Sequence, residues 1–151
     1  MDVIDARREI YRSEVMGETL FRVARLLTLS ADRREKWKRL EALETQTKHR
    51  YLEHIGQMVL PPTGARLQGV LYGLLFAAMP WKSAMKMLVE GTAPYMDTFE
   101  QLLEHSPEDE KSFYQYVVAH EKAIVSFAAG ELAGNDDAIT DVVTLLEPPP
   151  A

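Results

Sequence analysis

Two residues able to hold a metal or move a proton, Glu44 and His120, stand where a helix should be apolar. On a helical wheel the stretch around Glu44 puts Trp37, Leu40, Leu43, Thr47, Tyr51, Ile55 and Met58 on one stripe, with Glu44 inside it. His54 lies at the edge of that stripe, and Gln46 and His49 point away. His120 is central among Phe113, Tyr116, Val117, Ile124, Phe127 and Ala128, with Glu121 on the flank and Glu131 near the helix end. A carboxylate inside a helical core is costly unless it is paired, hydrogen-bonded or metal-bound. Glu44 and His120 therefore demand partners. On the first helix Glu14 sits at the margin of an inner face running through Ile10, Ser13, Gly17 and Leu20, and Glu18 lies further out. Reflecting His120 through its loop lands near Thr92 and Tyr95. The expected inner layer is Glu14, Glu44 and His120, with Thr92 and Tyr95 as hydroxyl partners. Such a layer is either a buried hydrogen-bond network or a metal or ligand site, because converging carboxylate and imidazole suit iron or manganese.

The elements that must position these groups are helices. Ser30 precedes a stretch with acids in its first turn, and Ser106-Pro107-Glu108-Asp109 combines a capping serine, a first-turn proline and acids that the helix dipole favours. These serines divide two periodic stretches into antiparallel pairs, about 3–28 with 31–58 and about 81–105 with 107–133. Each helix of about 25 residues is about 38 Å long. Both Glu44 and His120 fall near mid-height. A long connection, with a helix over about 66–79, joins the pairs, and a short helix over about 136–146 precedes Pro148-Pro149-Pro150. Strand signals are almost absent. The expectation is a single all-α domain over 1–151, an up-down four-helix bundle with a helical crossover and a short C-terminal helix.

This layout resembles the ferritin-like superfamily over about residues 3–133, nearest to its rubrerythrin and demethoxyubiquinone-hydroxylase branches. Those families place Glu on helices one and three and Glu-x-x-His on helices two and four. Glu14 matches the first position, with Glu18 as the alternative, and Glu44 matches the second, but Thr47 stands where the histidine would be. On the third bundle helix Glu90 is turned outward and Thr92 is inward. His120 matches the last histidine, while Val117 replaces its glutamate and Glu121 is an adjacent neighbour. The resemblance implies a reduced carboxylate–histidine site of Glu14, Glu44, His120 and Glu121, holding iron or manganese, or no metal if the site is degenerate. It further implies an oxidoreductase, with Tyr51, Tyr95 or Tyr116 as hydrogen-bond or redox partners.

The run from Gly69 to Trp81 carries no charge and contains Gly69-x-x-x-Gly73. It is too short to span a bilayer, which takes about 20 apolar residues. Being apolar all round, it must be covered by the bundle, by a second subunit or by lipid. A homodimer or packed crossover is the leading expectation, ahead of an apolar-ligand pocket and then of membrane-surface contact. A metal-free interaction or apolar-ligand-binding protein is accordingly the alternative to an oxidoreductase.

Composition sets the outer limits. The chain of 151 residues has no cysteine, which excludes disulfides, thiolate metal sites and cysteine nucleophiles and directs attention to oxygen and nitrogen ligands. Its net charge of −6 disfavours a nucleic-acid partner. Residues 1–60 balance at +2 and residues 61–151 at −8, so almost all the acidity lies in the second half. Arg33, Arg34, Lys36, Lys38 and Arg39 form a basic cluster that Glu35 and Glu41 offset, which reads as a solvated face. The charged N-terminal stretch lacks the apolar centre of a signal peptide, and a cytoplasmic location is expected. There is no P-loop, dinucleotide fingerprint, nucleophile elbow or His-Glu-x-x-His motif.

Overall fold

The computed structural model describes residues 3–55 and 63–147, and among these the chain is entirely helical, with no strand. Six helices follow in order: α1 (Val3–Leu27), α2 (Ala31–Ile55), α3 (Thr63–Ala78), α4 (Trp81–Glu104), α5 (Lys111–Leu132) and α6 (Thr140–Leu145). The α2 start is capped as expected, the Arg33 N–H donating to Ser30 Oγ at 3.3 Å. The α5 start is not. Ser106 donates its hydroxyl back to the Leu103 carbonyl at 2.8 Å, and Glu110 N–H closes a turn onto the Pro107 carbonyl at 3.0 Å. The backbone donors that Ser106 was expected to cap are thus not yet helical, and α5 begins at Lys111 rather than at 107. The expected helix over 136–146 shortens to α6 for the same reason, residues 136–139 forming turns. The expected extension of α2 to Met58 and the proline-rich end lie outside the described residues.

Side-chain pairs fix how the helices run. Arg25 and Arg22 reach back to Glu41, while Lys48 and Thr45 reach Glu18, so α1 and α2 are antiparallel. Helix α5 folds back on α4, with Phe99 and Leu102 facing Phe113, Tyr114 and Val117. Arg7 on α1 donates to Tyr114 and Glu110 at the start of α5, which ties the two hairpins together at one end. Helix α3 lies against α1 at very short range. A Cβ on Gly69 would stand 2.6 Å from the Met16 carbonyl oxygen, and one on Gly73 would stand 2.8 Å from that of Leu20. The Gly-x-x-x-Gly pair therefore serves the crossover, letting backbone approach backbone. The other side of α3 stays open, with Leu67 and Leu71 respectively 62% and 59% exposed.

The apolar core is divided. One cluster holds Phe21, Trp37, Leu43, Met85 and Phe127, and the second holds Ile10, Tyr51, Phe99, Phe113 and Val117. In sequence, Glu14, Glu44, Thr47, Thr92, His120 and Glu121 lie between the residues of the two clusters, and all six are buried. No described helix is long and apolar enough to cross a membrane.

Candidate metal centre

The polar layer takes its place from the helical repeat. Glu14 and Glu18 are one turn apart on α1, and Gly17 between them leaves the space that the Glu44 carboxylate of α2 fills. A Cβ at Gly17 would stand 2.6 Å from Glu44 Cδ. Opposite them α5 presents His120, which is fully buried, as is Glu14. His120 Nε2 lies 3.5 Å from Glu44 Oε1 and 3.7 Å from Glu14 Oε2. One ligating atom from each of Glu14, Glu44 and His120 falls within 4.8 Å of the others. These distances exceed a hydrogen bond. Both oxygens of Glu14 and the Nε2 of His120 are buried with no hydrogen-bond partner. Buried polar atoms are almost always satisfied, so the Glu14 carboxylate and the His120 Nε2, buried side by side without partners, call for an explanation.

The electrostatics follow from that crowding. Burial pushes the Glu14 carboxyl well above its ordinary range, and the neighbouring Glu44, Glu121 and Glu18 push it further. Glu121 rises to about 7, chiefly by burial, with His120 pulling down and Glu44 pushing up. Burial alone would lower His120, but the Glu44 and Glu121 carboxylates override it and raise the imidazole above its usual value. Crowding in a buried layer thus favours the neutral acid at Glu14 and Glu121.

The other nitrogen of His120 is well served. Nδ1 is 2.6 Å from Thr47 Oγ1, which is 2.8 Å from the Tyr116 hydroxyl. The sequence expectation of Thr92 and Tyr95 as hydroxyl partners is corrected here. Neither makes a hydrogen bond into the layer among the described residues; Thr92 and Tyr95 line an open cavity between α1, α3 and α4 instead. The reason is that α4 packs mainly on α5 and makes little contact with α1, from which the cavity separates it. Of the three tyrosines named from sequence, Tyr116 alone bonds to the layer; Tyr51 packs with Tyr11 and Phe113, and burial pushes its hydroxyl up to about 12. His54 stacks on Phe113, and Glu131 accepts from Lys36 and the Trp81 indole, so both are structural.

Of the four residues expected from sequence, three converge, and Glu121 stands beside them without contributing a ligating atom to the cluster. It lines the cavity together with Glu44, and Phe21, Phe76, Met87 and Leu88 form apolar walls around a volume of about 560 Å³. Sequence reasoning missed Gln46, which the wheel turned outward. Its side chain donates to the Tyr116 hydroxyl and accepts from the Glu147 backbone N–H, each at 2.8 Å. No periodic signal could have shown this, because the partner segment lies 101 residues away. Compared with family models, with curated proteins and with solved structures, the chain matches none.

Proposed function

We propose that this chain is a ferritin-like up-down four-helix bundle in which Glu14, Glu44 and His120 bind a single divalent iron or manganese ion. The observation that carries this reading is the set of unsatisfied buried atoms, Glu14 Oε1 and Oε2 and His120 Nε2, with Glu44 Oε1 beside them. Charge supports it. Two ionised carboxylates and one divalent ion sum to zero, so a bound ion would leave the buried layer without net charge. The donor set of carboxylate oxygen and imidazole nitrogen fits iron or manganese rather than a thiolate-loving metal. With Thr47, Thr92 and Val117 where three of the six ligands of a dinuclear site would stand, the remaining three suit one ion.

Such an ion supplies one-electron chemistry, and the reading is that of an oxidoreductase. Glu14 and Glu44 would neutralise and hold the ion and His120 would complete the triad, with Glu121 beside them at the cavity wall. The cavity between α1, α3 and α4 admits a small molecule whose apolar body rests on Phe21, Phe76 and Leu88. A second element of the proposal is a homodimer through the outer face of α3, supported by the exposed Leu67, Leu71, Leu74 and Leu75. Replacing Leu71 or Leu75 by Asp is expected to halve the mass in solution, and an unchanged mass overturns the dimer.

The deciding experiment is elemental analysis after anaerobic loading with Fe(II) or Mn(II), on the wild type and on Glu44→Ala and His120→Ala. One ion per chain, lost in both variants, is expected. Substoichiometric metal that neither substitution changes overturns the metal reading.

A further inference from the structure

The ring nitrogen of His120 that faces away from the carboxylates is linked to the C-terminal end of the described chain by an unbroken series of hydrogen bonds. Nδ1 is 2.6 Å from Thr47 Oγ1, and Thr47 Oγ1 is 2.8 Å from Tyr116 Oη. Gln46 Nε2 donates to Tyr116 Oη and to the Leu145 carbonyl, each at 2.8 Å. Gln46 Oε1 accepts from the Glu147 N–H at 2.8 Å. One glutamine side chain thereby satisfies both a donor and an acceptor of the C-terminal segment while its second N–H reaches the hydroxyl pair. Arg50 adds a parallel link, its guanidinium 4.1 Å over the Tyr116 ring and paired with Glu147.

We propose that Gln46, Tyr116 and Thr47 are positioning residues for His120, and that the docked C-terminal segment through Glu147 regulates metal occupancy of the site. The proposal rests on the metal reading above. Gln46 is an N–H donor to Tyr116, Tyr116 can pass its own O–H to Thr47, and Thr47 then offers a lone pair to Nδ1–H. A hydrogen on Nδ1 leaves the Nε2 lone pair free for an ion, and Thr47 Oγ1 is placed to accept that hydrogen and to hold the ring plane toward Glu14 and Glu44. The relay starts on the C-terminal segment, so releasing that segment frees Gln46 and Tyr116 to turn to water. By linkage, an ion that favours the oriented ring must also favour the docked segment, to the same degree.

The test compares Mn(II) affinity of the full chain with Thr47→Val, which keeps the shape and loses the hydroxyl, and Thr47→Ser, which keeps the hydroxyl. Removing an outer hydrogen-bond partner of a ligating histidine costs about 10–100-fold in affinity. Thr47→Val is expected to lose about tenfold or more, Thr47→Ser to bind within a few-fold of the wild type, and Gln46→Leu to fall between them. A role confined to structure would not couple the site to the segment, so hydrogen exchange at the Glu147 amide is the second readout. Mn(II) should slow it in the wild type and leave it unchanged in Gln46→Leu. Equal affinity in wild type, Thr47→Val and Gln46→Leu, or an exchange rate indifferent to Mn(II), overturns the proposal alone. A wild type that binds no ion overturns the metal reading and this proposal with it.

Discussion

Glu14 and Glu18 stand one turn apart on the same helix, both buried, and the protein treats them in opposite ways. Around Glu18 the α1–α2 seam is complete. Lys48 donates at 2.8 Å, Thr45 donates to its other oxygen, and Arg22 approaches at 3.8 Å. Burial would raise this carboxyl, but the Lys48 and Thr45 hydrogen bonds and the Lys48 and Arg22 charges outweigh it and hold it below its ordinary value. Around Glu14 nothing is complete: its oxygens have no donor, and its nearest charges are mostly carboxylates. A turn of helix separates a group that the fold uses for its own stability from one that it keeps at a cost. That uncompensated cost at Glu14 is what the metal proposal accounts for.

The largest expected effect is a difference of sign between these two glutamates. Glu18→Ala removes the partner of Lys48 and Thr45 and should destabilise by roughly 1–3 kcal/mol. Glu14→Leu replaces an unpaired acid by an apolar side chain of similar bulk and should be neutral or stabilising, by up to about 4 kcal/mol. Urea midpoints in the presence of a chelator measure both. Adding Mn(II) at 100 times its dissociation constant should then stabilise the wild type by about 2.7 kcal/mol and Glu14→Leu not at all. If Glu14→Leu unfolds as readily as Glu18→Ala, the contrast between the two regions is void.

The pH dependence sharpens the same contrast. Glu14 and Glu121 are raised above 4.5 and His120 above 6.5, so the folded chain holds protons that the unfolded chain has released. Their contribution is present in acid and is lost as pH rises through their folded values, for Glu121 through about 7. Glu18 is lowered, so its contribution is present above 4.5 and is lost as pH falls through its folded value. Metal-free protein should therefore lose stability between about pH 5 and pH 8. Loading with Mn(II) should flatten or reverse that slope, because ligands must be deprotonated to bind. Thermal melts across this range check both statements, and Glu18→Gln should remove the loss on the acid side alone.

How much of this was legible from sequence depended on whether a residue broke a local pattern. Glu44 and His120 interrupt apolar stripes, and burial cost alone marked them. Reflecting Glu44 through the short loop after α1 lands close to Glu14, which works because α1 and α2 are antiparallel neighbours. The same reflection through the α4–α5 loop chose Thr92 and Tyr95 and was wrong, since no periodicity reports that α4 stands away from α1 across a cavity. Ser106 carries every mark of an N-cap, yet the proline turn after it is used as a turn. Gln46 reads as a surface residue on its own helix, because what buries it is a segment from the far end of the chain.

The smallest effects come from two glycines, and they separate stability from site geometry. Gly91 in α4 has open space where a Cβ would stand, so Gly91→Ala should gain the ordinary helical advantage, roughly 0.5–1 kcal/mol. Gly17 in α1 would gain the same advantage, but its Cβ would meet the Glu44 carboxylate at 2.6 Å. The obstacle is the end of a flexible side chain rather than backbone, so Glu44 can turn aside and the fold survives. Gly17→Ala should therefore leave the urea midpoint within about 1 kcal/mol of the wild type while weakening Mn(II) binding. That pairing is informative because a purely structural layer predicts the reverse. If Glu44 served only to stabilise the core, displacing it would lower the midpoint, and metal added to either variant would change nothing.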